Sequence, residues 1–263
     1  MRIPIPTISG VIRRRILVNF RIDPAVMRRI LPEPFEPKLC DGAAIAGICL
    51  IRLEAIRPRL IPASLGVSSE NAAHRIAVSW TDEGGRACEG VYIPRRDSSS
   101  LLNHLAGGRL FPGEHHLAKF EVIDEPEHIS LSMRSSDGKV AVDVRGRPAR
   151  ALPEGSRFGS LEEASAFFQA GSLGYSETSG GRYLDGISLV TKQWDVAPLD
   201  VEHVFSSYFS DPALFPGGSV ELDCALLMRN IEHEWQSAPN LLVRARRRAP
   251  DPAHGPPVTL TPR

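Results

Sequence analysis

Lysine is almost missing from this chain. Only four of its 31 basic residues are lysines (Lys38, Lys119, Lys139 and Lys192), and the rest are arginines. Any chemistry that needs an amine nucleophile therefore has four places to sit. Cysteine is equally sparse: Cys40, Cys49, Cys88 and Cys224 are far apart and form no C-x-x-C pair. That spacing gives no signature of a disulfide framework or a thiol-rich metal knuckle, and the four read as buried or half-buried thiols of a reducing compartment. Net charge is absent as well, because 31 acidic residues cancel the 31 basic ones. The global electrostatic footprint of a nucleic-acid or anionic-membrane protein is missing. The longest apolar stretch, Gly42 to Ile51, is too short to cross a bilayer, and Met1–Pro6 lacks the apolar core of a secretory signal. The expected location is the cytoplasm. No G-x-S-x-G elbow, G-x-G-x-x-G turn or Walker-type phosphate loop occurs.

What is present is an ordinary globular composition, 42% hydrophobic and 24% charged, over a length of 263 residues that supports a substantial core. Helix signals are few. Asp23 caps a helix starting at Pro24 and stopping before Pro32, and Ser160 with Glu163 opens another that ends at Gly171. A third short helix is expected to start at Asp97 or Ser98, with Asp97 as its cap, and to end at Gly107-Gly108. Strand signals dominate elsewhere. Ile129, Leu131 and Met133 alternate with polar residues, turn at Ser136-Asp137-Gly138 and return through Val140, Val142 and Val144. A second hairpin pairs Arg75–Trp80 with Cys88–Ile93. Ile16–Arg21, the apolar Ala44–Leu53 and the alternating Val220–Met228 also read as strands. With no βαβ rhythm, the fold class is α+β and mainly antiparallel β: a sheet or closed barrel with a few short peripheral helices. A single domain is expected over 1–237. Residues 238–263 carry six prolines and an arginine cluster, and read as a disordered, solvated tail.

The densest chemistry lies in Gly107–His116, where three glycines and a proline interrupt regular structure beside Arg109, Glu114, His115 and His116. If His115 and His116 lie on a strand they face opposite ways, so one alone can enter an interior. A metal shared between Glu114-His115-His116 and Glu232-His233-Glu234 lacks the usual ligand spacing, and no metal or cofactor is expected.

Several segments, in order, resemble the acetoacetate decarboxylase-like superfamily. They are Ile16–Asp23 followed by a helix and Leu31-Pro32-Glu33-Pro34-Phe35; Ser68-Ser69-Glu70-Asn71 before Arg75; and Gly90–Asp97 leading to Phe111-Pro112. Within that superfamily the chain is most similar to the YqjF-like family, domain of unknown function 2071, on its Gly-Val-Tyr strand, its Ser-Leu-Glu helix and Trp194…Pro198-Leu199. The resemblance covers roughly residues 10–235. It implies a closed or cone-shaped barrel with an internal ligand cavity. The decarboxylases form a Schiff base through a lysine that follows a Tyr-Pro. Anchored on Pro112, this chain has Gly113 and Glu114 there, and Lys119 lies six intervening residues further on. Schiff-base decarboxylation is therefore not expected.

The resemblance also implies that Glu70 lies near a reacting centre and that Arg13, eight residues before Arg21, recognises substrate charge. An apolar barrel would raise the Glu70 pKa unless Arg75, Arg13 or another cation accompanied it, and a purely structural ion pair is the alternative. One of Arg95 and Arg96 could reach the same cavity, and Arg95 is the candidate substrate contact. Acid–base chemistry would fall to His116 or His115 with Glu114 and Glu70. Two readings stay open: a non-Schiff-base lyase or isomerase acting on an acidic or oxo-containing metabolite, and a non-catalytic ligand-binding or structural barrel. A small molecule is the expected partner, with no nucleic acid and no membrane; a homo-oligomer is left open.

Overall fold

The computed structural model describes residues 6–101, 113–178 and 181–243. Within them the chain forms thirteen strands in one mixed sheet and two α-helices. The strands are β1 (Ile8–Ile22), β2 (Glu36–Pro37), β3 (Leu39–Cys40), β4 (Ala43–Pro58), β5 (Val67–Thr81), β6 (Ala87–Ser98), β7 (His115–Asp124), β8 (Ile129–Ser135), β9 (Ala141–Pro148), β10 (Leu173–Glu177), β11 (Tyr183–Thr191), β12 (Ala197–Ser206) and β13 (Val220–Leu242). Helix α1 (Pro24–Ile30) is capped by Asp23, whose side chain accepts from the Ala25 N–H. Helix α2 (Leu161–Ala170) is capped by Ser160 Oγ, which accepts from the Glu163 N–H. Both caps are those expected from the sequence. Among the described residues no helix is long and apolar enough to cross a membrane.

Five strands, in the order β13-β1-β4-β5-β6, form a wall that two rings share. On one side β7, β8, β9 and β12 connect β6 back to β13; on the other β10 and β11 do so. Both end strands of the wall fork. Strand β6 pairs with β10 at Val91-Tyr92 and with β7 from Arg96 to Ser98, and Pro94, which has no N–H to give a neighbour, stands between. Strand β13 pairs with β12 at Ala225–Leu227 and with β11 from His233 onward. Between these stretches Asn230 adopts φ 56°, a left-handed conformation that asparagine tolerates.

The larger ring is filled. Ile16, Ile48, Ile76, Leu131, Met133 and Val142 are each fully buried and belong to one continuous core. Such packing supplies the main favourable term in folding, about 1.5–3 kcal/mol per aliphatic side chain. The opposite wall face carries Leu17, Ile45, Cys49 and Leu226, covered in part by Phe168 of α2.

Two expectations need correction. Asp97 caps no helix: it lies in β6, pairs with Ala72 and His116, and is buried. Ser98, the other expected start of that helix, also lies in β6, and residues 102–112 lie outside the described residues. The sheet is mainly antiparallel, as expected, with β6 running parallel to both β7 and β10. Strand β13 continues through Leu242, so residues 238–242 belong to the sheet; residues 244–263 lie outside the described part.

The filled ring also encloses His74, with Nε2 3.2 Å from Ser206 Oγ and its imidazole against Tyr208 and Phe209. Burial, with Arg95 nearby, drops its pKa to about 3. Above the unfolded value of about 6.5 the ring is neutral in both states and the shift has no effect on stability. Below it the unfolded chain takes a proton that the folded chain refuses, so stability falls as pH falls, by about 1.4 kcal/mol per pH unit. Urea unfolding of His74→Gln between about pH 6 and about pH 4 should show a slope shallower by that amount. Equal slopes for variant and parent would contradict a neutral, buried His74.

Candidate functional site

The smaller ring encloses a cavity of about 140 Å³ lined mainly by apolar side chains, among them Ile51, Leu53, Ile93, Ile187, Leu189 and Trp235. Three guanidiniums stand in its wall. Strand register explains how they arrive there. Asn19, Gly47 and Arg75 form one row across β1, β4 and β5. Two residues along, Leu17, Cys49, Ala73, Arg96 and His115 form the next row, through β6 to β7. Two further on come Arg15, Ile51, Asn71 and Ser98. Successive rows on one face are about 7 Å apart, so the cavity meets one arginine at each level.

Arg75 is 4% exposed. Its Nη2 donates to Asn19 Oδ1 across the bare Gly47, and its guanidinium lies 4.8 Å from the Phe168 ring. Arg96 donates from Nε to Ser176 Oγ at 3.2 Å. Arg15 donates from Nε to Cys49 Sγ at 3.3 Å and stacks 5.4 Å from the Trp194 ring. Arg15 Nη1, Arg75 Nε and Arg96 Nη2 are buried without a hydrogen-bond partner. Among the described residues none of the three arginines has a carboxylate within ion-pair distance. Asp97 also borders the cavity, but its carboxylate is taken by Arg95, with Nη2 at 2.8 Å. Burial pulls the pKa of both Arg75 and Arg96 down to about 10.

The residues singled out from the sequence are scattered around this cavity. Arg75 and His115 line it. His116 faces the other way, as strand alternation requires, and with Glu114 borders a second, more polar cavity of about 360 Å³ beside Tyr92 and Glu177. Burial and then Arg95 lower the His116 pKa, although Asp137 lies 3.5 Å from its Nδ1. Arg95 does not reach the arginine cavity: it bridges Asp97 and Asp137. Arg13 does not reach it either, being exposed and held by Glu54 and Asn230. Glu70 is likewise elsewhere, 2.6 Å from Arg14, which also meets Asp124. Burial raises the Glu70 pKa against the pull of Arg14 and Arg52. The expected Glu70–Arg75 pair does not form, because positions an odd number apart on one strand face opposite ways.

Of the pair Arg95 and Arg96, it is Arg96 that reaches the cavity, and Arg15 and Cys49 are polar lining residues that the sequence reading did not single out. Alternation carried the signal for Arg15: it shares parity with Leu17 and Asn19, whereas Arg14 shares parity with Ile16 and Val18. None of the four lysines lines the cavity. Lys38 pairs with Glu89, Lys192 with Glu232, and Lys119 and Lys139 are exposed. No three His, Cys, Asp or Glu side chains gather as a metal centre among the described residues.

The sequence matches the family model DUF2071, described as an uncharacterized conserved protein, over residues 11–216. The chain belongs to that family. No curated protein matches it. Among solved structures, it is similar to an acetoacetate decarboxylase-like enzyme from Sphingomonas wittichii RW1, with 10% identity, TM-score 0.59, and coverage of 92% of this chain and 95% of that one. It is also similar to acetoacetate decarboxylase from Legionella pneumophila subsp. pneumophila str. Philadelphia 1, with 12% identity, TM-score 0.56 and coverage of 91% and 88%. A third similar structure is the enduracididine biosynthesis enzyme MppR complexed with pyruvate, with 12% identity, TM-score 0.55 and coverage of 92% and 91%. At these identities the likeness is one of fold, and this DUF2071 member has the acetoacetate decarboxylase-like fold.

Gly47 holds the row that positions Arg75. A methyl group at that position would lie 2.1 Å from the Val18 carbonyl oxygen, backbone that cannot move aside. Gly47→Ala should cost about 2–4 kcal/mol in urea unfolding, whereas Gly155→Ala, which meets nothing within 4 Å, should stay within about 0.5 kcal/mol of the parent. Equal effects at the two positions would contradict the close β1–β4 approach.

Proposed function

We propose that this protein binds a small carboxylic acid in the cavity of the smaller ring. Its carboxylate pairs with Arg75 and Arg96, with Arg15 adding charge, and its apolar body rests on Ile51, Leu53, Ile93 and Trp235. The observation that carries the proposal is the set of buried guanidinium N–H groups that have, among the described residues, no hydrogen-bond partner and no carboxylate within ion-pair distance. Removing a cation from water without a counter-ion is costly. For Arg75 the fall in pKa to about 10 corresponds to about 3 kcal/mol of unfavourable surroundings. The contacts with Phe168 and Trp194 offset part of this cost. An entering anion would remove more of it, and guanidinium geometry suits a two-oxygen acceptor. The mostly apolar lining favours an organic acid over a free inorganic anion. The pyruvate complex of MppR supports the same class, since a protein of this fold holds a small keto acid.

His115 is next to Arg96 in register and lines the cavity. An imidazole both takes and gives protons near neutrality, so His115 is the group proposed to move a proton at the carbon beside the carboxylate, as a lyase or isomerase requires. With no lysine in the wall, no covalent imine is invoked.

Acids of about three to six carbons should raise the melting temperature by several degrees when saturating, and their amides should not. Arg75→Met should abolish the difference. Equal shifts by acid and amide, or none, would overturn the carboxylate reading. With a binding acid in D2O, proton NMR should show exchange at the adjacent carbon that His115→Gln stops while the melting shift persists. Binding without exchange would favour the non-catalytic reading.

A further inference from the structure

Cys49 is the one thiol in the cavity wall among the described residues. It is 7% exposed, and its sulfur receives the Arg15 Nε–H at 3.3 Å. In its row only Ala73 separates it from Arg96, and a methyl group leaves the space between them open. The sulfur is within electrostatic reach of both Arg75 and Arg96. Arg75, itself buried and with Nε unpartnered, borders the same space. The other thiols have different surroundings. Cys224 is 1% exposed and receives Asn19 Nδ2 at 3.5 Å, Cys40 donates to the Arg157 carbonyl at 3.4 Å, and Cys88 lies 3.9 Å from Asp82.

We infer that Cys49 is a nucleophile poised to add to a small α,β-unsaturated carboxylic acid whose carboxylate is held by Arg75 and Arg96. The inference rests on the carboxylate reading of the cavity and extends it to a substrate class. In the step, the S–H bond breaks and an S–C bond forms at the carbon β to the carboxylate. The electron pair of the double bond moves to the α carbon, which takes up the proton. Nothing is oxidised or reduced overall and no group leaves. Reversal after rotation about the new single bond returns the acid as its geometric isomer, an isomerase outcome. In water a carboxylate's charge deactivates its own double bond. Pairing with two guanidiniums withdraws that charge and favours addition.

Iodoacetate and iodoacetamide test the placement on the intact protein, since each alkylates a thiol with loss of iodide and only the first is a carboxylate. Peptide mapping should find Cys49 alkylated faster by iodoacetate, by on the order of tenfold or more, with saturation and with protection by propionate. Cys88, beside a carboxylate and outside the cavity, should show the reverse order without saturation. Arg75→Met should erase the preference at Cys49. Acrylate should then leave a single adduct, at Cys49, that Cys49→Ser lacks while keeping the propionate-induced rise in melting temperature. A Cys49 that resists iodoacetate, or prefers iodoacetamide, overturns the inference, as does labelling by iodoacetate without an acrylate adduct. If propionate still raises the melting temperature, the nucleophile alone has failed. If it does not, the carboxylate reading has failed with it.

Discussion

A sheet wall that serves two rings has no face to give to water. The strands β13, β1, β4, β5 and β6 are in that position, and most of their side chains must be apolar, paired with an opposite charge or turned into an internal space. The long apolar run of β4 follows directly from this constraint, as do the two forks, where Pro94 and Asn230 release the end strands from one neighbour to the next.

The same constraint sorts the arginines. Three consecutive ones on β1 go to three environments. Arg13 sits at a register shift and is exposed. Arg14 enters the filled ring and is matched by Glu70 and Asp124. Arg15 enters the smaller ring, where no carboxylate among the described residues matches it. Arg95 and Arg96 divide likewise: the first pairs with Asp97 and Asp137, and the second faces the cavity. Among the described residues, charge is thus neutralised within the chain on one side of the wall and left over on the other. That asymmetry, more than any single residue, marks the smaller ring as the place where a ligand would act.

Much of the fold could be read from residue patterns. The hairpins at Ser136–Gly138 and Asp82–Gly85, the two capped helices and the β-rich class follow from alternation and turn chemistry, both local signals. The forks and the parallel neighbours of β6 were not legible, because they depend on which distant strands meet. Asp97 was misread because an acidic residue before three serines looks like a cap, whereas its partner Arg95 lies two residues back on the same strand. At the site, the motif-rich Glu114-His115-His116 drew attention to two cavities at once, and alternation splits them. The arginines were harder to choose among. With so many in the chain, only the register of the wall separates those that have a carboxylate from those that lack one.

The central claim is that the smaller ring holds uncompensated positive charge for a carboxylate to neutralise. A crystal structure determined with saturating propionate tests it most directly. The account predicts the acid inside that ring, its two oxygens within hydrogen-bond distance of the Arg75 and Arg96 guanidiniums and its methyl end on the apolar wall. A cavity holding only water, or propionate bound at the surface alone, would contradict it.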